Sequence, residues 1–231
     1  MGQPGYNSFF MTELEVHCGL CGSTSRQAVA LSVTVTSQEP PDLDTRPGEP
    51  VRSTLGTWMQ CCPECGYCAA DIGTIHEHAA DLVATKEYQG RLLDSAVPEQ
   101  ARPFLCHALI LEHVHQYADA GWTALHAAWA CDDASDSKAA QAARGLALNY
   151  WKHGKKHGQA FGELAEEFAL AADVSRRAGR FEEALVTANE GLEVDDLPAF
   201  LEALLLFEKT LIGRRDAERH HLREVSFPAP R

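Results

Sequence analysis

The stretch Cys61-Cys62-Pro63-Glu64-Cys65-Gly66-Tyr67-Cys68 packs four cysteines into eight residues. Far upstream, His17-Cys18-Gly19-Leu20-Cys21-Gly22 holds two more. Both stretches contain Cys-x-x-Cys-Gly. Two intervening residues let both sulfurs reach one ion at about 2.3 Å within a tight turn. The glycine that follows, Gly22 or Gly66, suits a backbone at positive φ with amides aimed at the thiolates. Cys18, Cys21, Cys62 and Cys65 therefore read as the ligands of one four-thiolate site. The expected ion is Zn2+, with iron as the alternative, because both accept four thiolates. Four thiolates leave no open position, so the site reads as structural. Pro63 and the match to Gly66 favour Cys62 over Cys61 as ligand, which leaves Cys61 and Cys68 without a role. Cys61-x3-Cys65-x2-Cys68 also has the spacing of a radical-type iron–sulfur motif, but the chain lacks the repeating strand–helix units that such a motif needs. Cys106 and Cys131 read as buried core thiols.

Working outward, Ala28–Thr36 alternates, with Val29, Leu31, Val33 and Val35 on one side, and reads as a half-buried strand. Ser53–Cys61 reads as a second strand, with Leu55, Thr57 and Met59 on one face. Between them runs SQEPPDLDTRPGEPVR, whose four prolines exclude strand and helix. This loop, over residues 37–54, reads as a connector or a recognition edge. Pairing the two strands would bring both cysteine pairs together, in the order knuckle, strand, loop, strand, knuckle. That order defines a zinc-ribbon unit over residues 1–70.

Residues 71–225 read as helix almost throughout, and 226–231 as a tail. Pro98 and Pro103 mark helix starts. FGELAEEFALAADVSRRAG places Phe161, Leu164, Ala165, Phe168, Ala171 and Ala172 at helical spacing. RFEEALVTANEGLEVDD repeats the pattern. Pro198 opens a helix whose stripe is Leu201, Leu204, Leu205, Glu208 and Leu211, with Glu208 the odd member. Around RRAGRFEEAL, small residues and a short turn fit a tetratricopeptide repeat over about residues 165–198. The fold class is α+β, mostly α: a small N-terminal zinc-ribbon hairpin followed by a tetratricopeptide-like antiparallel helical array.

The chain has 231 residues, 45% of them hydrophobic, and a formal net charge of −13. That balance favours solubility and opposes binding to nucleic acid or anionic membrane. Residues 12–68 carry seven Asp/Glu against three Arg, so the ribbon is not a phosphate-binding face. No apolar run reaches a membrane span. The opening MGQPGYN reads as neither a secretory signal nor a strong myristoylation site. The expected location is the cytoplasm, where thiols stay reduced. His76, His78, His107, His113, His115 and His126 form no metalloprotease-like pattern, and Asp132-Asp133 reads as a solvated turn. No catalytic constellation is readable, so the chain reads as a non-enzyme.

The combination of CGLCG, PDLDTRPGEPVRSTLGTWMQCCPECGY, AAWACDD and RRAGRFEEAL resembles the bacterial domain of unknown function 2225 family. The likeness spans roughly residues 12–215. It implies a bacterial cytoplasmic protein with paired metal-binding knuckles at Cys18, Cys21, Cys62 and Cys65, tetratricopeptide-like helices and no known substrate. The extra Cys61 and Cys68 depart from the simplest pattern. The functional expectation is a zinc-stabilised scaffold for a protein or peptide partner. The alternatives are a rubredoxin-like iron electron carrier and a nucleic-acid-binding ribbon.

Overall fold

Each cysteine knuckle sits at the tip of its own hairpin. The computed structural model describes residues 8–34 and 39–227. In it, β1 (Ser8–His17) pairs antiparallel with β2 (Thr24–Thr34), and the first knuckle is the turn between them. β3 (Gln60–Cys61) pairs with β4 (Cys68–Ala69), and the second knuckle is their turn. The expected pairing of Ala28–Thr36 with Ser53–Cys61 is therefore corrected. Closing a short turn to an adjacent strand costs less entropy than closing the long proline-rich loop. Arg52–Thr57 is a 3-10 turn rather than a strand. Its polar side chains bond locally: the Thr54 hydroxyl donates to the Val51 carbonyl at 2.7 Å, and the Trp58 indole donates to the Thr54 hydroxyl at 2.9 Å. Such bonds compete with a ladder. Val35, Thr36, residues 1–7 and the last four residues, 228–231, lie outside the described residues.

Among the described residues, the β1–β2 hairpin is anchored at its knuckle end. There Gln27 is buried and donates to the Cys61 carbonyl at 3.1 Å. On the face read as half-buried, Val29 is half-buried while Leu31, farther from the knuckle, is 63% exposed.

The proline-rich loop is neither a plain connector nor a surface edge. Asp42, Leu43, Asp44 and Arg46 are all buried. They form a tight turn, in which the Asp42 amide donates to the Arg46 carbonyl at 2.9 Å and Thr45 takes φ 67°. That turn is inserted between α4 (Tyr117–Asp133), α5 (Ser137–Lys156) and α6 (Leu164–Arg177). Asp44 is fully buried. It accepts from Arg177 at 2.6 Å, Trp129 at 3.0 Å and Arg144 at 3.4 Å. Arg46 answers from the other side, donating to Asp133 at 2.6 Å and to the Trp129 carbonyl at 3.3 Å. Asp132 takes Arg144 at 2.6 Å and Arg177 at 2.8 Å. The reading of Asp132-Asp133 as a solvated turn is corrected in part: the pair ends α4 and each carboxylate holds a buried guanidinium, while the Asp133 side chain stays 45% exposed. Burial opposes the charge on Asp44, but the Arg177 and Arg144 guanidinium groups outweigh it and hold the carboxyl at about 2.

The remaining helices are α1 (Ala79–Val83), α2 (Lys86–Leu92), α3 (Arg102–His113), α7 (Phe181–Leu192) and α8 (Ala199–Gly213). From α3 onward, neighbours in sequence pack against one another. Three corners share one design. Val114–Gln116, Ala134–Asp136 and Ala178–Arg180 each place a middle residue at positive φ: His115, Ser135 and Gly179. In each, the third residue's amide donates five residues back, to the carbonyls of Leu111, Cys131 and Ser175. This helix-capping turn satisfies terminal carbonyls and reverses the chain in three residues. Alanines such as Ala124, Ala128, Ala140, Ala143 and Ala147 are buried between α4 and α5, which lets the helices approach closely. Glu208 fits its apolar stripe because Arg176, itself buried, donates to it at 2.8 Å and also pairs with Asp173. Burial, and then Asp173 nearby, pushes the Glu208 carboxyl well up.

Removing one partner of a buried charge cluster leaves the others uncompensated, at a cost of about 3–5 kcal/mol. Asp44→Ala is expected to lose stability of that order in urea unfolding, against less than 1 kcal/mol for Glu13→Ala on the exposed hairpin. Because the folded Asp44 carboxyl lies below its usual value of 3.8, its contribution is fully present above pH 4 and is lost as pH falls toward 2. The acid-unfolding curve of Asp44→Ala should be flatter than that of the wild type over this range.

Candidate metal centre

The two knuckles are built by the same hydrogen bonds. In the first, the Cys18 amide donates to the Ser23 carbonyl at 2.8 Å and the Gly22 amide to the Cys18 carbonyl at 2.8 Å. In the second, the Cys62 amide donates to the Tyr67 carbonyl at 2.8 Å and the Gly66 amide to the Cys62 carbonyl at 2.9 Å. Gly22 has φ 75° and Gly66 φ 77°, a region where a side chain is strained. The local sequence thus dictates each turn, and the fold turns the two tips toward each other.

The four Sγ atoms of Cys18, Cys21, Cys62 and Cys65 lie within 4.8 Å of one another. Cys18 and Cys65 are 3.7 Å apart, as are Cys21 and Cys62. A tetrahedron with bonds of about 2.3 Å has edges of about 3.8 Å, so the sulfurs fit one tetrahedral ion. Among the described residues this is the one group of three or more potential ligands able to hold a metal. The structure therefore brings together all four cysteines singled out by spacing. The ion's identity is not set by this geometry, since zinc and iron share it.

The electrostatics suit a cation. Burial opposes ionisation of Cys62, yet the Ser23 hydroxyl and the amides of Cys65 and Glu64 draw its thiol down to about 6. The Ser23 hydroxyl lies 3.2 Å from Cys62 Sγ and 3.0 Å from Cys21 Sγ. Burial pushes Cys18 and Cys65 up. Four close thiols cannot all ionise unaided, and a bound divalent ion would hold all of them as thiolates.

Residues with no sequence signal brace the site. The buried Tyr88 of α2 donates to the Gly66 carbonyl at 3.0 Å and accepts from the Cys68 amide at 3.0 Å. Tyr67 donates to the Thr74 carbonyl at 2.8 Å. The Gly19 amide donates to the Ile72 carbonyl at 2.8 Å, tying the first knuckle to the segment after β4. Ser23 directly follows the Cys-Gly and was findable; Tyr88 lies too far along the chain. Among the described residues, several histidines pack with other rings. His76 meets His107 edge-on at 5.0 Å and His78 meets His113 at 6.0 Å, while His126 packs between Trp58 and Trp129. Cys106 and Cys131 are buried, as read from their helices.

The two glycines should respond unequally to alanine. At Gly22 the added Cβ meets nothing, so only the φ penalty of about 1 kcal/mol applies. At Gly66 it would stand 2.6 Å from Leu92 Cδ2, adding a clash to the same penalty. Thermal unfolding of Gly66→Ala should fall further than that of Gly22→Ala, and its metal should pass to a chelator sooner. No protein-family profile, curated protein or solved structure matches the chain.

Proposed function

We propose that this chain is a zinc-stabilised interaction protein. Zn2+ held by Cys18, Cys21, Cys62 and Cys65 would fix the two hairpin tips, and the helices would form a tetratricopeptide-like array for a protein or peptide partner. The observation that carries the metal half is the pair of matched knuckles with sulfurs at tetrahedral spacing. Four protein ligands fill such a site, so the ion would act by folding rather than by chemistry. Small β-units of this kind bury too little apolar surface to hold their shape alone.

The partner half is supported by the three alike helical corners and by an apolar pocket of about 310 Å3. Leu43 from the inserted loop, Trp122, Phe161, Phe200, Leu201 and Leu204 line it, and Phe200 is half exposed. Membership of the domain of unknown function 2225 family and a cytoplasmic, reducing location belong to the same proposal. They rest on the quoted motifs and on the unpaired thiols. A rubredoxin-like iron centre is the second reading, favoured by Tyr67 and Tyr88 buried against the second knuckle.

Metal analysis with a visible spectrum, on the full chain and on a Cys62→Ser, Cys65→Ser variant, separates these readings. The expected result is one zinc per chain, no colour, and loss of both metal and cooperative unfolding in the variant. Iron with charge-transfer bands would replace zinc by the electron carrier, and absence of metal would overturn both. For the scaffold, a peptide selected on the full chain should lose at least tenfold in affinity on Phe200→Ala, the loss of about 1.4 kcal/mol expected of an anchoring contact. Unchanged affinity would exclude this pocket.

A further inference from the structure

Cys61 and Cys68 are direct cross-strand partners in the β3–β4 ladder, and their Sγ atoms lie 2.7 Å apart. Neither is needed for the tetrahedral site. Directly opposed antiparallel residues have Cα atoms about 4.5–5.5 Å apart, inside the range of about 4.4–6.8 Å that a disulfide spans. Cys68 is fully buried and Cys61 half-buried, so Cys61 is the more exposed residue of the pair. Both thiols also point at one acceptor, the Gly66 carbonyl, at 3.3 Å from Cys68 and 3.7 Å from Cys61. The pair closes the neck of the loop that carries Cys62 and Cys65.

We propose that Cys61 and Cys68 form a reversible dithiol–disulfide site that latches the second knuckle. With a peroxide as oxidant, the sulfur of Cys61, the more exposed residue, takes one oxygen, giving a sulfenic acid and one water. The Cys68 sulfur then displaces that hydroxyl: an S–S bond forms, the S–O bond breaks, and the hydroxyl leaves as water with the Cys68 proton. Two thiols lose two electrons, and one peroxide becomes two waters. A small-molecule dithiol reverses the step by exchange. The ring that closes contains Cys62 and Cys65 and needs only a small movement of sulfurs already in contact. Oxidation therefore leaves the ligand turn in place and restrains it from opening. The disulfide stands independently of the metal reading, whereas its effect on metal retention rests on that reading.

The test uses the full chain as purified, reduced and freed of reductant, then treated with hydrogen peroxide. Remaining thiols are blocked with N-ethylmaleimide and the denatured chain is cut after glutamate. Cleavage after Glu64 separates Cys61 and Cys62 from Cys65 and Cys68, so a cross-link joins two peptides and fragmentation assigns the sulfurs. The expected result is a Cys61–Cys68 link, reversed by dithiothreitol, with zinc content unchanged. Release of zinc to a chelator should slow on the order of tenfold, as expected from closing a ring around two ligands. Cys61→Ser should abolish the link and the slowing, while Cys106→Ser should keep both. Links among Cys18, Cys21, Cys62 and Cys65 with loss of zinc, while Cys61 and Cys68 stay blocked as thiols, would overturn the proposal, as would a Cys68–Cys106 link. A protein without metal that still forms the Cys61–Cys68 link would overturn the zinc reading and leave this site standing.

Discussion

The buried carboxylate of Asp44 is the point on which the molecule's two parts meet. A fully desolvated charge is tolerated only where partners surround it. Arg177, Arg144 and Trp129 do so from three different helices. None of these contacts can form unless α4, α5 and α6 are packed, and the loop cannot hold its turn without them. Thr45 shows the same dependence: a β-branched residue at φ 67° persists only where its neighbours are fixed. The chain between the knuckles is thereby tied to the helical stack rather than left as a tether. Leu43 continues this into the core formed by α6, α7 and α8, and the Leu43 amide donates to the His220 carbonyl at 3.1 Å.

The cysteine site depends on that anchoring at one remove. Each knuckle is a local turn, but the two belong to hairpins that do not pair with each other. What holds them face to face is a small set of longer contacts: Gln27 to Cys61, Gly19 to Ile72, and Tyr88 to Gly66 and Cys68. These contacts aim four sulfurs at one point, and an ion there would add the largest single attraction in the unit. Farther from the knuckle the hairpin arm leaves Phe10, Met11 and Leu31 exposed.

The knuckles and most helices were legible because their signals are local. Cys-x-x-Cys-Gly specifies a turn within five residues, and helical periodicity is set by neighbours three and four apart. Pro98, Pro103 and Pro198 stand at helix starts as read, and the AGR corner falls at Ala178–Arg180 between α6 and α7. The strand pairing was misread because alternation says that a segment is extended and not which segment lies beside it. β1 also carries the alternation Phe10, Thr12, Leu14, Val16, and it reaches β2 through a much shorter turn. The ion pairs of Asp44, Arg46, Asp132 and Asp133 went unread because a pairing between distant residues leaves no periodic trace.

By itself the sequence determined the mostly helical class, the two knuckle turns and the four sulfurs able to share an ion. These follow from backbone sterics and short-range spacing. Only the tertiary structure decided which strands pair, that the proline-rich loop enters the helical core, and that Cys61 stands against Cys68. Those outcomes depend on loop-closure entropy and on the desolvation of specific charges, terms that come into being only when distant parts of the chain are brought together.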